Sequence, residues 1–459
     1  MAPPARPRPP SVERLLAAVR PRLPVTVDRR ILADAARAVV DRERRHPQAH
    51  GDHLGRLADE VLAHLQSIEG AWSVGLEPVI NGTGVIVHTN LGRAAWPVVA
   101  IEAAERAARE PLLLELDQET GRRGHRYRAA EDALIALTGA KDALVTNNNA
   151  AAVSLAVGLA GRGGGVLVSR GELIEIGGGV RIPEIVRRAC ARLIEVGTTN
   201  RTRAGDFEDP LSEGRARLVL RVHRSNFRLE GFTEDPEPGA LADLAHGHGA
   251  IVVDDLGSGA LIDTARFGLS HEPMPAERLA LGADVVTFSG DKLVGGPQAG
   301  LLVGRADLIA RIRNDPLARA MRPDKVTLAA VAATLGLYRA GRAETAIPVW
   351  RMIAMPAVEL RRRAATLAAA TGAEVVALES TVGGGSLPGE VLASFGLALA
   401  GGPADRLLAA LRRGRPAIVG RIDAGRVVID LRTVDPARDD DLVAGIRATA
   451  SGPDGRNGS

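Results

Sequence analysis

The chain has 459 residues, 46% hydrophobic and 25% charged with a formal net charge of +3, an ordinary balance for a globular protein with room for two or three domains. Its single cysteine, Cys190, excludes an intrachain disulfide framework or a multi-cysteine metal site and points to a reducing, cytoplasmic setting; no run of about 18 apolar residues provides a membrane span. The pI of about 9.5 follows from abundant arginine and does not by itself select a polyanionic partner.

Residues 1–10 read as a proline-rich disordered lead, arginine-bearing but without the apolar core of a signal peptide. Residues 11–72 read as a small helical domain, with apolar positions at Leu15, Leu16 and Val19, at Ile31, Leu32 and Ala35, and at Leu54, Leu57, Val61, Leu62 and Leu65. Arginine-rich faces make it either a packing appendage or a basic module contacting RNA. From Val79 to Arg93, Gly and Asn punctuate short β-branched runs, as in a loop-rich site.

Residues 78–325 then alternate strands with helix-length segments. The runs Ala143 to Thr146, Val166 to Ser169, Leu218 to Val222, Ala250 to Asp254, Val285 to Phe288 and Leu301 to Val303 are continuously apolar, which predicts an α/β fold whose mostly parallel sheet is covered on both faces. Ligands of such sheets bind beyond the carboxyl ends of the strands. Residues 326–450 read as a C-terminal α+β domain, with helices Val326 to Arg339 and Val349 to Thr371, strands at Glu374 to Ala377, Ala417 to Arg421 and Arg426 to Leu431, and a helix near Ala404 to Arg412. Residues 451–459 read as a disordered tail.

Only three lysines occur, Lys141, Lys292 and Lys325, and Lys292 sits in a glycine-rich turn between two apolar runs, beside Ser289 and Asp291. A buried lysine amine can lose its proton and form a Schiff base, which arginine cannot do. Asn147-Asn-Asn149 follows a strand and opens an apolar helix, the arrangement of a phosphate cup at a helix N-terminus. Ile251-Val-Val-Asp-Asp255 puts two carboxylates at a strand tip, either of which could hold a pyridinium nitrogen protonated. Cup, Asp and Lys in that order specify pyridoxal 5'-phosphate. No G-x-G-x-x-G follows a first strand, and Gly161-Arg-Gly-Gly-Gly165 precedes one, so a Rossmann dinucleotide site is disfavoured. Polar clusters at Gly121 to Arg126, Ser169 to Gly178, Gly197 to Thr202 and His223 to Phe227 read as loops serving the site. Arg319 and Arg322, spaced i, i+3 on one helix face, would join Arg93 in an anion clamp.

Val79-Ile-Asn-Gly-Thr-Gly with His-Thr-Asn-Leu-Gly-Arg93, Asn147-Asn-Asn-Ala-Ala-Ala152, Val196-Gly-Thr-Thr-Asn-Arg-Thr202, Asp255-Leu-Gly-Ser-Gly259 and Phe288-Ser-Gly-Asp-Lys-Leu-Val-Gly-Gly-Pro-Gln-Ala-Gly300 resemble the bacterial selenocysteine synthases, the L-seryl-tRNA(Sec) selenium transferases, over nearly the whole chain. The resemblance implies the type I pyridoxal-phosphate fold and a ring-like homo-oligomer, a decamer built of dimers. It also implies conversion of seryl-tRNA(Sec) to selenocysteinyl-tRNA(Sec) with selenophosphate, through a cofactor-bound dehydroalanyl-tRNA. In its terms Lys292 matches the Schiff-base lysine, with Asn148, Asn149, Ala150, Ser289 and Asp255 around the cofactor. Asp255 is the better match for the ring nitrogen, Asp254 staying open by spacing, and Arg93, Arg319 and Arg322 match selenium-donor positions. The alternative is a pyridoxal-phosphate lyase acting on a small amino acid or amino-sugar phosphate.

Overall fold

The computed structural model describes residues 9–23, 27–45, 53–69, 76–123 and 128–450. The lead up to residue 8, the tail 451–459 and residues 124–126 of the Gly121 to Arg126 cluster lie outside the described residues. The chain divides into two compact units, Met1–Val79 and Ile80–Ser459.

In the first unit, helices Val12–Val19, Arg29–Arg45 and His53–Glu69 turn their apolar stripes inward, burying Leu15, Val19, Ala36, Val39, Leu57 and Val61. The buried Glu43 carboxylate accepts hydrogen bonds from Arg56 and pairs with His53, so the charge inside this small core is compensated.

The second unit is built on a seven-stranded sheet: β1 (Asp142–Thr146), β2 (Gly165–Ser169), β3 (Arg192–Val196), β4 (Leu218–Val222), β5 (Ile251–Gly257), β6 (Val285–Ser289) and β7 (Gly300–Gly304). Their spatial order is β3-β2-β4-β5-β6-β7-β1, parallel except for β7, which runs antiparallel to both neighbours. Successive side chains alternate faces. Val166, Leu220, Val253 and Leu302 pack under helices Asn149–Val157, Ile182–Arg188 and Ala306–Asn314. On the other face, Leu167, Val219 and Val252 meet Phe207 and Leu241, while Val286, Phe288 and Leu301 meet helices Ala129–Thr138 and Lys325–Arg339.

A second, antiparallel sheet in the same unit contains β8 (Glu374–Thr381), β9 (Val391–Leu399), β10 (Arg421–Asp423) and β11 (Arg426–Asp430), in the order β8-β9-β11-β10, covered by helices Ala357–Thr371, Ala404–Arg413 and Asp439–Ala450. Its central strand β9 was not expected from the pattern, nor was the edge strand β3. The expected helix from Val349 to Thr371 is two helices, Pro348–Ala354 and Ala357–Thr371, broken at Pro356, which has no N–H to donate. The expected strand Ala417 to Arg421 is likewise split, into Ala417–Val419 and β10.

Candidate active site

The carboxyl ends of the parallel strands open on a cavity of about 230 Å³ lined by Arg93, Asn148, Asn149, Ala150, Asp255, Ser289 and Lys292. Residues from the ends of β1, β5 and β6 and from the 88–93 loop therefore meet in one place, as expected of an open α/β sheet.

The three consecutive asparagines, expected together to form a phosphate cup, have three different jobs. Asn147 donates its backbone N–H to the Met321 carbonyl at 2.9 Å. Asn148 caps the helix, its side chain accepting from the Ala151 N–H at 2.8 Å, and Asn149 donates from Nδ2 to Asp255 Oδ1 at 2.8 Å. What stays available for an anion is the first-turn backbone N–H of Asn149 and Ala150 with the positive end of the helix dipole.

Strand alternation separates the two aspartates. Asp255 faces the cavity, where Thr287 Oγ1 also donates to its Oδ1 at 2.9 Å, whereas Asp254 faces the other side, 3.6 Å from Arg278. Burial pushes both carboxyls above the usual range, opposed at Asp255 by its two hydrogen bonds and the Lys292 charge. Burial likewise pushes the Lys292 amine down, with Arg93 adding to the shift and Asp255 opposing it.

Arg93 holds a left-handed backbone conformation (φ 65°), which costs a non-glycine residue about 1–2 kcal/mol, and its Nη1 is tied to Asp291 Oδ2 at 2.7 Å. The Gly383-Gly-Gly385 turn between β8 and β9 closes over the lysine. Gly385 has φ 77°, and a Cβ there would stand 3.4 Å from Lys292 Nζ and 3.5 Å from Ser225 Oγ.

Arg319 and Arg322 do not join this cavity within the chain, and they do not share a helix face. The helix is only Pro316–Ala320, so Arg322 lies beyond its end, next to Pro323. Arg322 lines a separate cavity with Arg128 and Arg313 and pairs with Glu115 at 3.5 Å. His223 and Ser225, from a cluster expected to serve the site but not named as site members, line the main cavity, as does Gln298, which was not singled out. Strand β4 ends at Val222, so a polar residue directly after an apolar run was the available signal for His223.

The cavity fits pyridoxal phosphate on its own terms: a depressed lysine amine, a buried carboxylate on the neighbouring parallel strand, first-turn helix N–H groups beside the Asn148 cap, and a buried Asn149 Oδ1 lacking any hydrogen-bond partner. Comparison with known proteins agrees. The L-seryl-tRNA selenium transferase family model matches residues 79–435. An L-seryl-tRNA(Sec) selenium transferase of Rhizobium meliloti is 46% identical, covering 92% of this chain and 93% of the relative; one from Carboxydothermus hydrogenoformans is 44% identical, covering 88% and 89%. A solved structure of D-glucosaminate-6-phosphate ammonia-lyase superposes with a TM-score of 0.60 at 22% identity over 83% of this chain and 97% of that one, a likeness of fold. With the family matched across the cofactor-binding sheet and the whole of the second sheet, the chain belongs to the L-seryl-tRNA selenium transferase family.

Proposed function

We propose that this chain converts L-seryl-tRNA(Sec) to L-selenocysteinyl-tRNA(Sec), with pyridoxal 5'-phosphate as cofactor and selenophosphate as selenium donor, as a cytoplasmic homo-oligomeric ring. The observation that carries the reading is the buried Lys292 amine sharing one cavity with Asp255, in a chain 46% identical to a selenium transferase. Bound pyridoxal phosphate supplies an electron sink for charge developing at the seryl Cα. Lys292, its amine held below the usual range, is the group that takes up the Cα proton. Asp255, oriented by Asn149 and Thr287, is the carboxylate that would hold the ring nitrogen protonated. The Asn149 and Ala150 N–H groups would hold the cofactor phosphate, and Ser289 lines the same cavity.

Arg93, fixed by Asp291, offers the selenium donor a charged fork. Arg319 and Arg322 act on the donor from a neighbouring subunit. What supports this is their exposure beside the apolar side chains Leu112, Leu113, Leu116 and Leu317, surface of the kind that subunits cover. The arginine-bearing helices of the first unit contact the RNA.

A lyase acting on an amino-sugar phosphate is the second reading, favoured by the fold shared with D-glucosaminate-6-phosphate ammonia-lyase; its 22% identity weighs less than 46%. The deciding experiment supplies cofactor-loaded protein with radiolabelled selenophosphate and seryl-tRNA(Sec). Label should enter the aminoacyl group with the unaltered protein and not with Lys292→Ala. Turnover of a small amino-sugar phosphate without RNA, and no label transfer, would favour the lyase.

A further inference from the structure

At the end of the sheet opposite the cavity, the segments leading into β2, β3 and β4 bring together Arg162, Arg187, Arg192, Arg215 and Arg217, all exposed. The backbone holds them side by side. Gly163 N–H bonds the Cys190 carbonyl at 2.8 Å, Arg192 N–H the Gly164 carbonyl at 2.9 Å, and Arg217 N–H the Gly165 carbonyl at 2.9 Å. The Arg192 guanidinium donates to the Arg215 carbonyl at 2.9 Å. A Cβ at Gly165 would stand 2.0 Å from that same carbonyl, so the glycines of the Gly161 to Gly165 run are what let the arginine segments approach.

Among the described residues, Glu213 is the one carboxylate in these segments, and it pairs with Arg215; Arg162, Arg187, Arg192 and Arg217 have no carboxylate partner. Four uncompensated like charges this close repel one another unless an anion sits on them. None of the exposed large apolar side chains lies in these segments, so the surface lacks the apolar centre of a protein–protein interface. Every cation is arginine, whose planar fork matches phosphate bidentately. The five-residue strands, at about 3.3 Å per residue, set the cluster roughly 16 Å from the cavity, too far to touch the reacting group.

We propose that this cluster is a second RNA-binding surface of the chain, holding the sugar–phosphate backbone of the tRNA body against the catalytic unit. The proposal rests on the RNA substrate proposed above. In a test, binding of seryl-tRNA to the full-length, cofactor-loaded protein is measured across a salt series, for the unaltered chain and for an Arg162→Glu, Arg187→Glu, Arg217→Glu variant. A milder Arg162→Gln, Arg217→Gln variant covers the case that reversal of three charges impairs folding.

The variants should bind about tenfold or more weakly at physiological salt, and the log–log salt slope should flatten by about one for each phosphate that is no longer neutralised. Cofactor content, sedimentation and turnover at saturating RNA should stay the same, because no cavity residue is altered. Unchanged affinity and slope in both variants overturn the proposal while leaving the functional reading intact. Altered sedimentation with unchanged RNA affinity also overturns it, making the surface a contact between copies of the chain. An unaltered protein that binds no tRNA at all removes the functional reading together with this one.

Discussion

Replacing each of the adjacent aspartates by asparagine should give opposite results. In Asp255→Asn the side chain keeps its shape and its Oδ1 still accepts from Asn149 Nδ2 (2.8 Å) and Thr287 Oγ1 (2.9 Å). Two charge-assisted hydrogen bonds become neutral ones, a loss of about 1 kcal/mol each, while removing a buried charge recovers a desolvation cost of several kcal/mol. Thermal stability should therefore hold or rise slightly. Selenium transfer should instead fall by about 10²–10³, the scale of losing one preorganised electrostatic group. In Asp254→Asn the half-buried Arg278 loses a charged partner at 3.6 Å, a loss of roughly 1–3 kcal/mol that the recovered desolvation of Asp254 offsets in part, and transfer at low temperature should stay near the unaltered rate because Asp254 faces away from the cavity. Melting curves and initial transfer rates on the two proteins provide the assay. If Asp254→Asn is the variant that loses transfer while Asp255→Asn keeps it, the assignment of faces is wrong.

Borohydride reduction followed by peptide mass spectrometry should place a pyridoxyl group on Lys292 and on neither Lys141 nor Lys325; an adduct on either of those refutes the site. In cofactor-free protein, the pH dependence of Lys292 labelling by an amine reagent should move upward in Arg93→Gln and downward in Asp255→Asn, since Arg93 lowers and Asp255 raises that amine's pKa; shifts in one common direction would contradict the stated causes. Gly385→Ala should combine a left-handed backbone penalty of about 1–2 kcal/mol with crowding of Lys292, lowering transfer more than stability, as judged by comparing rates with melting temperatures. Burial pushes the Glu131 carboxyl up to about 7, with Arg128 and Arg313 opposing. The folded state thus binds more protons than the unfolded one between about 4.5 and 7, and stability from this group is present at lower pH and lost as pH rises through 7. Glu131→Gln should flatten that decline, worth at most about 3 kcal/mol, in denaturant melts at pH 5 and pH 8.

The sheet was legible because strands buried on both faces must be continuously apolar, a purely local property that β1, β2 and β4 to β7 all display. β3 escaped since Arg192 and Glu195 stand on an exposed edge, and β9 because Ala, Ser and Gly dilute its apolar run. Lys292 could be singled out in a chain with only three lysines, and Asp255 by its place at a strand tip. The sequence by itself therefore determined the layered architecture, the family and the chemical identity of the central groups. Tertiary structure decided which way those groups face and whom they meet: Asp255 toward the cavity and Asp254 away, Asn148 as a helix cap, Asn149 on Asp255 106 residues later, Arg93 on Asp291 198 residues later, and Arg319 with Arg322 outside the cavity. Periodicity reports whether a position is buried, which depends on neighbours a few residues away; the partner of a buried polar group is set by sheet order and register, which bring together segments that local pattern cannot relate.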